Sequence, residues 1–497
     1  MSFLLPLGVL FVFLCFRLLK IGSREPSLPP GPPTVPLLGN LHIFPTECAH
    51  FRFTEWARQY GGFYSLKIGP GTTVVLTDPA AVKVLMDQRS GNTVDRPAMH
   101  VADCVTGGLN TVLARYTENW RTLRRAAHTI LTPQESRKHL PIQQAEATQL
   151  LHDILSQPDG FYTHIRRYSS SVILSVLYGK RAPRYETRET TAFFEAQHEW
   201  ERVLEPGSPP PIDLIPLLKY VPARWAKWKR DCARTRKLQR DLYFGLLNDT
   251  RERLGRGEEN GCYMEEILKS QEELGMDAEM IGYLGGVLIE GGSDTTSSFL
   301  QTLILALTAY PEAQKKAQEE IDRVVGSDRM PTLDDPPIPA SPPILIPHST
   351  LAAEEYKGYT IPKSATIFVN VYGIFHDPDL FDDPETFSPE RSLLTENGTK
   401  PGVDGSDLRH NLPFGVGRRI CPGIHLAQHS INLNTVNLIW AFQFSPDIDA
   451  SGNPIPPDTS AYQRGMFTAP EPFTAFRGPL GRPCLDRAMS AEVCRCA

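Results

Sequence analysis

The decapeptide Phe414-Gly415-Val416-Gly417-Arg418-Arg419-Ile420-Cys421-Pro422-Gly423 constrains this chain more than any other stretch. Its two leading glycines form a tight turn ahead of the cysteine. Pro422 follows at a place suited to the first position of a helix, where a missing N–H is harmless. Apolar residues then recur at Ile424, Ala427, Ile431 and Leu438, a helical spacing. Cys421 is therefore expected at a helix N-terminus, where backbone N–H groups and the helix dipole lower a thiol's pKa. A thiolate so placed can ligate iron and push electron density into it. Taken alone, a single cysteine is more often a small buried hydrophobe, so the reading depends on the residues around it.

The 497 residues are 41% hydrophobic and 22% charged, which are globular values. The length suits one large enzyme domain or about three average ones. A net charge of -6 without a basic stripe gives no reason to expect nucleic acid as a partner. The nine cysteines contain no C-x-x-C pair, which argues against zinc ribbons and C-x-x-C-H attachment sites. Their irregular spacing fits a reducing compartment, where the sequons at Asn248 and Asn397 stay silent.

Phe3 to Phe16 is uncharged and mostly apolar, and Arg17, Lys20 and Arg24 follow it. A full membrane span needs about 17–25 residues, so residues 1–20 read as a short anchor that relies on Arg17 reaching the interface. Neither a basic region before the run nor a small-residue cleavage site after it marks a signal peptide. Positive charge on the C-terminal side places the globular part in the cytosol. Residues 21–36, with Leu28-Pro29-Pro30-Gly31-Pro32-Pro33, read as a stiff extended hinge.

Beyond the hinge, Phe63–Ile68 and Thr72–Leu76 flank Gly69-Pro70-Gly71 as a hairpin. Asp78-Pro79 opens a helix to about Gln88. The chain is then mainly helical from Tyr116 to about Gly261, apart from the proline-rich loop from Pro206. Asp277 to Tyr310 reads as one long helix and Pro311 to Val325 as another, stopped by Gly326. Short strands return near Tyr359–Ile361 and Thr366–Asn370. The sum is mainly α with small β-sheets.

The decapeptide matches F-x-x-G-x-R-x-C-x-G at every fixed position, and the chain is identified on it as a member of the cytochrome P-450 superfamily, similar to fungal microsomal members. The resemblance implies the family fold as a single large heme domain over residues 37–480, with 481–497 left as an unassigned tail. It implies heme b (iron protoporphyrin IX) ligated by Cys421, with Phe414, Gly417 and Gly423 shaping the loop. Trp120-Arg121-Thr122-Leu123-Arg124 resembles W-x-x-x-R, which puts Trp120 and Arg124 on the heme propionates. Arg419, and His348 in Ile346-Pro347-His348, resemble further propionate contacts. Gly291-Gly292-Ser293-Asp294-Thr295-Thr296 resembles the oxygen-activation motif of the long central helix. Two glycines in a helix interior cost about 1 kcal/mol each, for which close approach to a flat ligand with local unwinding is a reason. Asp294 and Thr295 would relay protons to bound oxygen.

The implied activity is insertion of one oxygen atom from O₂ into a lipophilic small molecule. The chain has no dinucleotide fingerprint, so electrons would come from an external NADPH-cytochrome reductase of the endoplasmic reticulum membrane. Arg418 and Arg121 are candidates for its docking face. The pocket would draw on Val101–Arg115, Glu205–Tyr220, Gly286–Thr295, Ile344–Ile346 and Met466-Phe467-Thr468, a largely apolar set. An isomerase acting on peroxides is disfavoured by the intact Asp294–Thr295 pair.

One departure stands out. The family's E-x-x-R helix should precede Pro347-His348, but the stretch reads Asp334-Asp335-Pro336-Pro337-Ile338-Pro339-Ala340-Ser341-Pro342-Pro343, which cannot form a helix interior. About a dozen residues are missing. Glu320–Arg323 lies in the preceding helix and reads as a surface pair. Arg391 of Pro389-Glu390-Arg391 would lose its carboxylate partner and become a buried unpaired cation. An inactive or unstable product of a splice or gene-model defect is therefore the alternative to an active enzyme.

Overall fold

The computed structural model describes residues 13, 16–205, 207–327, 329–333, 345–463 and 469–482. Most of the expected anchor, the Asp334–Ile344 stretch, Met466-Phe467-Thr468 and the tail from 483 lie outside those residues. Contacts group the chain into two compact units, one of residues 1–100, 210–220 and 341–421, the other of 101–209, 221–340 and 422–497. The chain passes back and forth between them, so neither is a domain in the sense of a continuous stretch.

In the first unit the hairpin forms as expected. β1 (Phe63–Ile68) and β2 (Gly71–Leu76) pair antiparallel, with Phe63 opposite Leu76 and Ile68 opposite Gly71. Later strands are β3 (His348–Ser349), β4 (Glu354–Tyr356), β5 (Tyr359–Ile361) and β6 (Thr366–Val369). The main sheet has the order β1-β2-β6-β3, while β4 and β5 pair separately. β2 runs parallel to β6, with Val74 opposite Ile367, and β3 sets His348 opposite Ile367 from the other side. Thr72 to Leu76 is buried throughout, the pattern of a strand covered on both faces. Val74 and Leu76 join Leu85, Ile367 and Val416 on one face. Val75 joins Tyr64, Leu66 and the α1 residues Phe53 and Trp56 on the other, where α1 is Ala49–Tyr60.

Asp78 caps the next helix by accepting from Ala80 N at 2.9 Å. That helix starts at Pro79 and ends at Gln88, but Lys83–Gln88 widen into a π-turn, a form common at functional sites. The proline-rich hinge is not the free spacer expected of it. Arg24 donates to Pro29 O at 2.7 Å and Ser65 O at 2.7 Å, Ser65 N donates to Pro30 O at 2.8 Å, and Asn40 Nδ2 donates to Pro33 O at 2.8 Å. Proline carbonyls have no N–H partner of their own residue to compete for, and here β1 and Arg24 claim them.

The second unit is helical. Its longer helices are α2 (Glu118–Ile130), α3 (Leu140–Ser156), α4 (Phe161–Tyr178), α5 (Arg188–Leu204), α6 (Lys227–Gly255), α7 (Ala278–Ala309), α8 (Pro311–Val324) and α9 (Ile424–Ala441). Asp277 caps α7 at Met280 N, 2.8 Å away, and Pro311 opens α8 directly after it. α7 is about 48 Å long and buried nearly all round, which marks a core helix. Tyr178, Tyr243, Tyr283 and Leu284 pack near its start, and Leu300 and Ile304 pack with Ile165, Leu438 and Trp440 near its end. Truncating a fully buried leucine such as Leu300 costs about 2–5 kcal/mol. A three-stranded sheet, β8 (Pro454–Ile455), β7 (Phe442–Ile448) and β9 (Ala475–Pro479), closes this unit. Gln314 of α8 bonds both Phe444 N and Phe444 O, at 2.8 and 2.7 Å.

α9 begins at Ile424 with Gly423 as its N-cap, two residues later than expected. Pro422 lies in the turn before it, so Cys421 is not at the helix's first turn. The turn is set by the tertiary environment of the loop, which local helical spacing does not report. Glu320 and Arg323 are exposed with their charged atoms 3.9 Å apart, the expected surface pair. Arg391 departs from expectation. It is neither buried nor without partners, because its guanidinium donates to the carbonyls of Asp382, Asp383 and Thr386 at 3.0, 2.9 and 3.1 Å.

Candidate active site

The loop ahead of Cys421 is held by its backbone. Leu412–Phe414 and Gly417–Arg419 are two short 3-10 turns, joined by Gly415 at φ 98° and Gly417 at φ 53°. The N–H of Cys421 donates to Phe414 O at 2.7 Å, which closes the turn under the half-buried cysteine. Neighbours lock this shape. The Asp87 carboxylate accepts from Gly417 N at 2.8 Å and from Arg409 at 3.2 Å, and Arg409 donates to Gly415 O at 2.8 Å. A Cβ on Gly417 would lie 2.2 Å from Met86 O. The π-turn is what delivers Met86 and Asp87 to this place. Neither Asp87 nor Arg409 carries a signal in the sequence that would have found it.

In the same unit, positive charge is buried beside His348. Arg419 is buried and donates Nε–H to Val94 O at 2.7 Å. Arg96, which the sequence reading missed, is also buried and donates to Ile346 O and Pro347 O at 2.7 and 2.9 Å. His348 Nδ1 lies 2.9 Å from Thr93 O, so that nitrogen carries the proton. Burial first, then Arg96 and Arg419, hold the imidazole well below its usual pKa. It is neutral and offers only an acceptor at Nε2. His348, expected among the propionate contacts, is thus a neutral acceptor beside two buried arginines. Buried cations favour an anionic ligand, and two carboxylates of a porphyrin suit this donor set.

In the second unit, Thr117 caps α2 by accepting from Trp120 N at 3.2 Å. Trp120 is buried and its indole N–H donates to Thr111 O at 2.9 Å. That bond occupies the donor that the family resemblance gives to a propionate. Arg124 is half-buried on the same helix, while Arg121 is exposed and pairs with Glu118. Arg418 is likewise exposed.

α7 stays helical through Gly291 and Gly292, so the expected unwinding is absent. The two glycines have different reasons. A Cβ on Gly292 would lie 2.6 Å from Ile173 of α4, which makes it a close-packing glycine. A Cβ on Gly291 would meet nothing within 4 Å, and Gly291 and Thr295 are exposed on this otherwise buried helix. That open strip fits a flat ligand. The Thr295 hydroxyl donates to Gly291 O at 2.5 Å, a back-bond that satisfies it locally. Asp294, one residue earlier, turns toward α5, where Gln197 Nε2 lies 3.5 Å from its Oδ2. Burial raises its carboxyl above the usual range.

One turn before Asp294 sits a second acid, Glu290. Glu290 is buried, accepts from Tyr243 at 2.5 Å and from Asn110 at 3.1 Å, and is pushed up to about 7 by burial. Asn110 in turn caps the backbone of Val112 and Leu113 at 3.0 and 3.3 Å. Arg236 and Tyr283 hold Val105 O at 2.7 and 3.0 Å. The Val101–Arg115 segment is therefore tied to α6 and α7 by named side chains. A lone Glu in the apolar run Met280–Gly291 was the visible signal for Glu290.

The cytochrome P450 family model matches residues 29–337 and 338–473. A cytochrome P450 monooxygenase of Armillaria gallica is 44% identical over 490 residues, 95% of this chain and 93% of the relative. The cytochrome P450 monooxygenase atE of Aspergillus terreus is 37% identical over 466 residues, 89% of this chain and 86% of the relative. Among solved structures, a zebra fish cytochrome P450 with Progesterone superposes with a TM-score of 0.70 at 25% identity, covering 86% of this chain and 99% of that one. The fold is accordingly the mainly helical one of these enzymes, and the family's heme iron and monooxygenase chemistry come with it. With its cysteine turn, its buried arginines and its open strip on α7, this chain belongs to the cytochrome P450 family as a heme-thiolate monooxygenase.

Proposed function

We propose that Cys421 supplies the thiolate that holds the iron of heme b, and that Asp294 and Thr295 handle protons for reduction of O₂ during oxidation of a lipophilic small molecule. The observation that carries this reading is the loop: two left-handed glycines, the Cys421–Phe414 bond and the Asp87–Arg409 clamp fix one cysteine at the end of a rigid turn. Arg96 and Arg419 would hold one side of the propionates, with the neutral His348 packed beside them, and Arg124 is the candidate from α2. Phe414, Gly417 and Gly423 serve by shaping the loop. The heme, when bound, supplies oxygen activation. The chain's own residues bind and orient it, keep water from the apolar strip of α7, and hold a proton on the Asp294 carboxyl beside Thr295. The apolar segments named above fit a lipophilic substrate, in line with the zebra fish relative solved with Progesterone.

Electrons would come from an NADPH-cytochrome reductase, the partner that the family resemblance implies. Residues 1–20 would anchor the enzyme in the endoplasmic reticulum membrane with the catalytic part cytosolic. Among the described residues no helix is long and apolar enough to cross a membrane. Cys421→Ser is the test. With reductase and carbon monoxide, the wild-type chain should give the shifted Soret band of thiolate ligation and Cys421→Ser should not. An unchanged spectrum in Cys421→Ser would sink the assignment.

A second reading has its own observation. The family match comes in two pieces that meet between 337 and 338, inside the proline-rich stretch that stands where the E-x-x-R helix belongs. On this reading the chain is an inactive or unstable heme-binding product of a splice or gene-model defect. Sequencing the transcript decides its origin: a message without extra codons after Asp335 removes the gene-model explanation. Heme content of the protein from each transcript decides its consequence.

A further inference from the structure

Gln197 and Glu201 are one turn apart on α5 and so share a face. That face meets α7 at Asp294. The Gln197 amide nitrogen lies 3.1 Å from Glu201 Oε1 and 3.5 Å from Asp294 Oδ2, so one amide holds a carboxyl oxygen from each helix. The two carboxyls thus meet at a single amide. Two carboxylates cannot keep such a contact without a proton on one of them. Burial, and then the charge of Asp294, pushes Glu201 up, while burial pushes Asp294 up. The other charged groups facing the pair are Arg166 of α4 and Glu290 of α7. Arg166 lies over the Phe194 ring at 4.8 Å and favours ionisation of both acids. Glu290 is itself raised by burial and then by the nearby Asp294. Glu201 is the less deeply buried of the pair. Gln197 Oε1 is buried with no donor among the described residues, an acceptor that suits a water at the mouth of the pair.

We propose that Glu201 is the residue through which Asp294 regains its proton from solvent. The Glu201 carboxyl gives its proton to the Asp294 carboxylate, the two acids being held together by the Gln197 amide, and water then returns a proton to the Glu201 carboxylate. Glu201 never reaches the reacting atoms; it acts through Asp294, and the assignment rests on the role given to Asp294 above. A cation in that place would hold Asp294 ionised. A second acid keeps it loaded.

The experiment uses the heme-loaded full chain with reductase, NADPH and O₂, and compares wild type with Glu201→Gln, Glu201→Asp and Asp294→Asn. Two quantities are measured: the infrared stretch of protonated carboxyl at neutral pH, and the pH profile of oxygen consumption. In wild type the protonated-carboxyl band should be present at neutral pH. Glu201→Gln should weaken it and slow oxygen consumption about tenfold or more, with the profile displaced, and Glu201→Asp should restore both. Asp294→Asn should slow consumption at least as far. A band and profile that survive Glu201→Gln unchanged, with Asp294→Asn impaired, overturn the role of Glu201 and leave that of Asp294 standing. Wild-type behaviour from Asp294→Asn overturns both.

Discussion

Around Cys421, backbone atoms do the holding: two left-handed glycines, short 3-10 turns and a carboxylate on Gly417 N. Along the polar side of α7, side chains from other helices and from the Asn110 loop do it: Gln197 and Glu201 from α5, Tyr243 from α6, Asn110 from the loop before α2. The first arrangement depends on conformations only glycine adopts cheaply. The second depends on protons, because three carboxyls are buried in one neighbourhood. One region should therefore respond to steric change and be nearly indifferent to pH, and the other the reverse.

The largest effect should come from Gly417→Ala. The new Cβ would meet Met86 O at 2.2 Å at a positive φ, so a loss of about 3–5 kcal/mol in chemical unfolding is expected. Gly415→Ala meets nothing closer than 3.5 Å and should lose only the conformational part. Equal losses from the two would break the argument that Met86 sets the loop.

Glu290→Gln tests the other region through pH. A raised carboxyl pKa means that the folded chain holds the proton more tightly than the unfolded chain does. The stabilisation is complete below about 4.5 and is lost as pH rises through about 7. The shift corresponds to about 3 kcal/mol between those limits. Glu290→Gln should remove that part of the pH slope of unfolding, and an identical slope in both proteins refutes it.

Asp87→Ala should lower stability by about 1–3 kcal/mol by leaving Gly417 N without its acceptor and removing the carboxylate partner of Arg409, and should reduce heme retention on a desalting column. Smaller still, Arg391→Ala should cost about 1 kcal/mol, since it removes partly exposed bonds to carbonyls. A loss of several kcal/mol there would mean that Arg391 braces a buried core after all.

The hairpin, the long α7 and the cysteine turn were legible because each is encoded locally, by alternation, by a cap and a proline, by glycine spacing. The start of α9 was misplaced by two residues because Pro422 tolerates a turn as well as a helix. The role of the hinge was misjudged because nothing in a proline run announces that Arg24 and β1 will bind its carbonyls. Glu290 left a trace as a lone charge in an apolar run, whereas Glu201 looks like any acid on an amphipathic helix.

The sequence by itself determined the family and offered Cys421 as the candidate ligand and Asp294 and Thr295 as the candidate acid and alcohol on α7, because these rest on residue types at fixed short spacings. Only the tertiary structure decided which charges are buried together: that His348 is neutral beside Arg96 and Arg419, that Arg391 caps carbonyls, and that Asp294 meets Gln197 and Glu201 of another helix. The reason is physical. A side chain's chemistry is written in its residue, but its protonation is set by the solvent it loses and the charges it meets, and both are known only once distant segments pack.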